Sequence, residues 1–162
     1  MIIRQATVSD AKEIAQIYSH HIKMGGSCML TESMIDKDIE NMLLNLKERE
    51  VMAVIEIDNQ IAGWGNLKMY SPRLGYQYSC ENSIYLNPNF LGKGLGHQLM
   101  DWLMKEATKL DFHHIVAKIL LKNTSSIQFH EKFGYTTVGV QKEIGFLNNE
   151  WEDVMIMQKL LK

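Results

Sequence analysis

Three alternating glycines set between a strand pattern and a helix pattern constrain this chain more than any other feature: Leu91-Gly92-Lys93-Gly94-Leu95-Gly96. Before them, Ser83-Ile84-Tyr85-Leu86 reads as a strand closed by Asn87-Pro88-Asn89. After them, Leu99, Leu103, Ala107 and Leu110 recur at helical spacing in a segment from His97 to Leu110. Glycine lets a backbone approach a ligand closely. The first amides of a helix have no intrahelical partner, and the helix dipole adds partial positive charge beside them. The arrangement therefore suits an anion, with a phosphate group as the expected ligand. A plain glycine-rich turn is the alternative.

Two common phosphate loops fit poorly. A P-loop follows Gly-Lys with Ser or Thr, whereas Gly94 follows Gly92-Lys93. A dinucleotide fingerprint is spaced G-x-G-x-x-G early in a βαβ unit; here the spacing is G-x-G-x-G, past the middle of the chain. At 162 residues the chain suits one domain, 1–162, with a sizeable core. A net charge of −2 gives no reason to expect nucleic acid or an anionic membrane as partner. No apolar run approaches the about 18 residues that a bilayer span requires. Met1-Ile2-Ile3-Arg4 enters strand-like sequence without a signal-peptide pattern, and Cys28 and Cys80 make no disulfide framework. A cytoplasmic protein with reduced thiols is expected. Cys28 has no identifiable partner as a nucleophile and reads as a loop thiol. His20-His21 and His113-His114 are sequence neighbours that point apart, with no Cys-x-x-Cys or His-Glu-x-x-His beside them, so no metal is expected.

Along the chain, Ile2 to Ala6 reads as a strand, and Ser9-Asp10 cap a helix from Ala11 to about Ile22. Thr31 or Ser33 caps a second helix reaching about Glu50. Val51 to Ile57 and Ile61 to Met69 form a hairpin through Asp58-Asn59-Gln60. Tyr76 to Leu86 is a long strand feeding the glycine loop. Phe112 to Leu121 is apolar enough for a buried central strand. Asn123-Thr124 opens a short helix ending near Phe133-Gly134. Tyr135 to Lys142 and Glu150 to Met157 are strands joined around Asn148-Asn149. The order βααβββαβαββ predicts an α/β (α+β) domain with a mostly antiparallel sheet.

These segments resemble the GNAT family of N-acetyltransferases over the whole chain. Leu91 to Gly96 is similar to the family's acetyl-CoA loop, Q/R-x-x-G-x-G/A, with Leu91 where Gln or Arg is usual. Three further segments are similar to the phosphinothricin and methionine sulfoximine acetyltransferase branch. They are Pro72-Arg73-Leu74-Gly75-Tyr76 with Glu81 to Leu86, Asn123 to Tyr135, and Ile144-Gly145-Phe146 with Trp151-Glu152-Asp153-Val154 and Met157-Gln158. Where that branch carries an aromatic residue and a Glu-Pro pair, this chain has Gly26-Ser27-Cys28-Met29-Leu30-Thr31-Glu32. The resemblance implies a twisted sheet of about seven strands flanked by four helices, with acetyl-CoA as co-substrate. It also implies a small amino-acid-like amine as acceptor and a homodimer contacting through the C-terminal strands, near Phe146, Leu147 and Trp151.

Acetyl transfer from a thioester to an amine makes four demands. The pantetheine-diphosphate arm must be held, which suits Gly92, Gly94, Gly96 and the first helical amides of His97 and Gln98, with Leu91, Lys93 and Leu95 in the same loop. The acceptor ammonium must lose a proton. Strand alternation puts Gln77, Ser79, Glu81 and Ser83 on one polar face, and the resemblance places the base at Glu81, acting directly or through water. The thioester carbonyl must be polarised, a task for a backbone amide near Tyr85 or Leu86, at the end of the Ile84-Tyr85-Leu86 segment that joins the cofactor-binding set. The leaving thiolate takes a proton, its pKa being about 8.5. By resemblance His130 either donates that proton or packs on the cofactor, and Asn123 either bonds the cofactor arm or caps its helix. Ser126 and Lys132 belong to the phosphate surroundings. Arg73 either grips the acceptor's carboxylate as a bidentate fork or is a solvated surface residue, and Tyr76 and Tyr78 either wall the acceptor pocket or join the core. A protein N-terminus, a lysine or a polyamine are alternative acceptors, and an acyl-CoA sensor without turnover is the alternative class.

Overall fold

Consecutive residues with left-handed backbone fold the chain back on itself twice, at Asp58-Asn59 (φ 49° and 61°) and Asn148-Asn149 (φ 52° and 64°). Turns of this hand match the twist of the strands they join. The first joins β2 (Val51–Ile57) to β3 (Gln60–Met69), and the second joins β6 (Thr136–Leu147) to β7 (Glu150–Leu160). The computed structural model describes residues 1–161. With β1 (Ile2–Gln5), β4 (Ser79–Leu86) and β5 (His114–Leu120), these strands form one sheet in the order β1-β2-β3-β4-β5-β7-β6. Every neighbouring pair is antiparallel except β4 and β5, so the mixed, mostly antiparallel sheet matches the expectation.

Helices cover both faces. On one face, Ile14 and Ile17 of α1 (Ala11–Met24) and Ile39 of α2 (Asp36–Leu44) pack on Met52, Val54, Ile61 and Trp64. On the other, Leu95, Leu99, Leu103 and Ala107 of α3 (Leu95–Lys109) pack on Ala53, Ile55, Ile115 and Ala117. The fourth helix, α4 (Thr124–Lys132), follows β5. Alternate residues of β2 thus serve different cores, which is why its sequence reads as an unbroken apolar run.

Several boundaries differ from those the sequence suggests. The second helix begins at Asp36 rather than after Thr31 or Ser33, because the Ile35 amide donates to Asp38 Oδ2 at 2.9 Å. It ends at Leu44 instead of near Glu50. Arg49 is drawn away to the far end of the sheet, where it donates to the carbonyls of Leu110, Asp111 and Gln77 and lies over the Phe112 ring. Leu74–Tyr76 form a 3₁₀ turn, so β4 starts at Ser79 and Tyr76 and Gln77 lie outside it. Strand β6 continues past Lys142 through a bulge, where Glu143 takes φ 51° and donates its amide to Asp153.

Gly65 of β3 lets α3 lie close to the sheet. A Cβ there would stand 2.8 Å from the Ser83 carbonyl oxygen and 2.9 Å from Leu103 Cδ1. The carbonyl belongs to the β-ladder and cannot retreat. We expect Gly65→Ala to cost about 1–3 kcal/mol, seen as a melting temperature lowered by about 2–4 °C per kcal/mol; a thermal melt checks this.

Candidate active site

Strand β4 runs beside β5 only through Ser79–His114, Cys80–Ile115 and Glu81–Val116, while it stays paired with β3 as far as Leu86. Past Glu81 the two central strands part, and backbone groups face the opening. The Asn87 amide donates to Ala62 of the preceding hairpin. Alternation therefore turns the Tyr85 amide toward β3 and the amides of Ile84 and Leu86 toward the gap. Of the two expected donors, Leu86 faces the opening and Tyr85 does not. His21, near the end of α1, donates its Nε2 hydrogen to the Leu86 carbonyl at 2.8 Å. Burial pushes the His21 pKa down, so the ring is held neutral there.

Two cavities meet over β4. The smaller, about 490 Å³, is lined by Ile84, Tyr85, Leu86, Leu91, Gly96, Asn123, Ser126, Phe129 and His130. The larger, about 1120 Å³, is lined by Glu81, Tyr70, Tyr76, His113, Gln158 and an apolar wall that includes Met29, Leu30, Val138, Ile144 and Ile156. Ser27, Ser83, Tyr85 and Lys118 border both.

The glycine loop ends the smaller cavity. Gly92 and Gly94 take φ 76° and 70°, and Gly94 is the residue before α3. The helix ladder begins with Gln98 N–H to Gly94 O, so Gln98, expected among the free donors, is occupied. Among the described residues the amides of Gly92 and of Gly94 to His97 make no hydrogen bond to a protein group. That is a row of donors at a helix start, with Leu95 buried behind it and Lys93 exposed, its ammonium 5.0 Å from the Phe90 ring centre. The His97 ring lies against Phe129 and Phe133, at 5.2 and 5.4 Å between centroids.

His130 is 6% exposed. Its Nδ1 lies 2.7 Å from the Ser126 carbonyl, which can only accept, so Nδ1 carries the hydrogen. Its Nε2 then accepts from Asn82 Nδ2 at 3.3 Å, and Asn82 Oδ1 accepts from the Tyr135 hydroxyl at 2.9 Å. Both ring nitrogens are held by protein groups, and burial lowers the His130 pKa. Asn123 Oδ1 accepts from the Ser126 amide at 3.3 Å, so it caps α4 while lining the cleft. Glu81 Oε2 lies 2.9 Å from Lys118 Nζ, and both side chains are partly exposed. Arg73, Tyr78 and Lys132 are exposed and line neither cavity; Tyr78 lies under the Arg49 guanidinium. Burial pushes the thiol of Cys80 up to about 12 and that of Cys28 upward too, so neither is a ready nucleophile. Among the described residues no three His, Cys, Asp or Glu side chains gather to hold a metal.

No motif in the sequence marks Asn82, Lys118 or His21 as a site residue. Asn82 has a signal in retrospect: it is the polar residue on the strand face shared by Cys80, Ile84 and Leu86. Lys118 likewise interrupts an apolar strand.

The unbonded amides, the cleft between the parted strands and the acid at its mouth are what a GNAT acetyltransferase requires. The GNAT acetyltransferase domain model matches residues 3–156, and the chain belongs to that family. It is 29% identical to an L-methionine sulfoximine/L-methionine sulfone acetyltransferase of Salmonella typhimurium, covering 98% of this chain and 93% of that one. It is also 29% identical to a phosphinothricin N-acetyltransferase of Streptomyces viridochromogenes, covering 97% and 86%. A Salmonella typhimurium acetyltransferase solved with acetyl-CoA superposes with a TM-score of 0.90 at 28% identity, covering 100% and 94%. The chain is an N-acetyltransferase whose co-substrate is acetyl-CoA, and the free amides of its glycine loop fit the diphosphate of that molecule.

Two outcomes are expected. Left-handed backbone costs a non-glycine residue about 1–2 kcal/mol, so Gly94→Ala should weaken coenzyme A binding by about tenfold in calorimetry, whereas Gly75→Ala, in open space, leaves it unchanged. Histidines 21 and 130 hold protons more weakly folded than unfolded, where the pKa is about 6.5. The unfolded chain therefore binds more protons just below that pH. Stability is full above about 6.5 and falls as pH drops toward the folded values. Thermal melts from pH 5 to 8 should show this, with a smaller loss in His130→Gln.

Proposed function

We propose that this enzyme acetylates the primary amine of a small amino-acid-like acceptor, of the methionine sulfoximine or phosphinothricin type. The observation that carries the reading is the meeting of two cavities over β4, with Glu81 in the larger and the free helix-start amides at the end of the smaller. The smaller takes the acetyl-CoA arm and the larger takes the acceptor, so both substrates are present together and the amine attacks the thioester directly. Glu81 removes the ammonium proton, directly or through one water. The amides of Ile84 and Leu86 face the carbonyl oxygen as charge develops there. The thiolate is protonated from solvent, and His130, with both nitrogens held, supports the cleft by packing. The apolar wall of the larger cavity suits the aliphatic part of the acceptor's side chain. Curated relatives whose names carry methionine sulfoximine and phosphinothricin support this acceptor class.

The free thiols Cys28 and Cys80 fit a reducing, cytoplasmic setting. Exposed Phe146 and Trp151, stacked edge to face at 4.9 Å, suit a homodimer contact through the last hairpin; Leu147 packs inward on Leu120 and Val154 and takes no part. The test is thiol release from acetyl-CoA with a panel of amino acids, peptides and polyamines. Wild type should turn over L-methionine sulfone or phosphinothricin, and Glu81→Gln should lower kcat by about 10²–10⁴-fold without changing acetyl-CoA affinity. Turnover confined to peptides or polyamines would defeat the acceptor assignment.

A further inference from the structure

We infer that Lys118 is the residue that recognises the acceptor's α-carboxylate, and that the Glu81–Lys118 ion pair is a stand-in for a zwitterion. The inference rests on the acceptor reading above and gives it a specificity determinant. Lys118 lies on β5 two residues past Val116, the partner of Glu81 in the last pair before the strands separate. The two side chains therefore meet at the fork itself, 2.9 Å apart. Lys118 borders both cavities, next to the place where the acyl group and the amine must come together. It is also the one Lys or Arg among the described residues lining the larger cavity, whereas Arg73 lines neither.

An exposed ion pair ordinarily contributes little to stability, so this one is poorly explained as a structural brace. Its chemistry suits exchange. Lys118 keeps two further N–H donors and Glu81 keeps further lone pairs. An α-amino acid carries an ammonium and a carboxylate on one carbon, the mirror image of the pair. On binding, the ammonium takes the place of Lys118 beside Glu81, and the carboxylate takes the place of Glu81 beside Lys118. No charge is left unpaired in the cleft, which is the condition for covering ions at low cost. The same exchange delivers the reacting amine to its base. A polyamine offers no carboxylate and meets Lys118 as a like charge, so it is selected against.

The test compares kcat/KM for L-methionine sulfone with that for its carboxamide, in wild type, Lys118→Met, Lys118→Arg and Arg73→Ala. Comparing the ratio between variants cancels the different basicity of the two amines. Wild type should prefer the acid by about tenfold or more, the scale of a charged hydrogen bond. Lys118→Met should bring the ratio within about threefold, Lys118→Arg should keep most of it, and Arg73→Ala should leave it unchanged. An unchanged ratio in Lys118→Met, a ratio that collapses only in Arg73→Ala, or a loss confined to acetyl-CoA affinity would each overturn the assignment while leaving the acceptor class intact. Wild type inert toward both compounds but active on other amines would instead overturn the acceptor reading, and this inference with it.

Discussion

The separation of β4 from β5 past Glu81 is the constraint on which the rest of this molecule depends. A sheet that stayed paired along its length would have no cleft and no free amides at its centre. Here the pairing stops after three residues on each strand, and what would be ladder donors become groups facing a ligand. The unpaired stretch is held open from several sides. His21 binds the Leu86 carbonyl, and β3 keeps β4 straight. The buried Tyr135–Asn82–His130 chain ties α4 to the back of β4. Such a network is rigid only when every member is satisfied, and this one is, down to the Ser126 carbonyl. The rigidity matters because Glu81 and the gap-facing amides of Ile84 and Leu86 sit on the same strand, so their separation is set by its rise.

Much of this architecture was readable in the residues. The two tight turns, the β2 and β5 strands and the glycine-led α3 all follow from local chemistry that a sequence displays, although one face of β5 opens onto the larger cavity instead of being buried. What was hidden involves partners far away in the chain. The second helix was expected to run to about Glu50 because its apolar periodicity continues through Leu46. Arg49, bonded to carbonyls that lie beyond residue 76, ends that continuity. The start of α2 was misplaced because any Ser or Thr can cap, whereas the deciding bond comes from Asp38 reaching back.

The site divides the same way. Motif-borne groups, namely the glycine loop, Glu81 and the Asn123 cap, could be placed from spacing and resemblance, and the structure brings them around the parted strands. Groups whose meaning is a distance could not. Lys118 is an ordinary polar position in an apolar strand until Glu81 is found 2.9 Å away, and Arg73 is a plausible anion binder until it is seen to be exposed and to line neither cavity, although Tyr76 of the same turn lines the larger one. His130 carried two readings because a ring nitrogen's role is set by what it touches, and neither Asn82 nor Ser126 O is identifiable as its partner from a string of letters.

Met29, which lines the larger cavity, rests its end so closely against the buried Gly145 of β6 that a Cβ at 145 would fall 1.8 Å from the Met29 methyl carbon. A flexible thioether leaning on a side-chain-free position is an adjustable boundary. Drift at either residue would enlarge or trim the chamber without touching the glycine loop at the end of the smaller cavity. Descendants of this enzyme thus have an inexpensive route to new amine substrates that leaves their donor chemistry untouched.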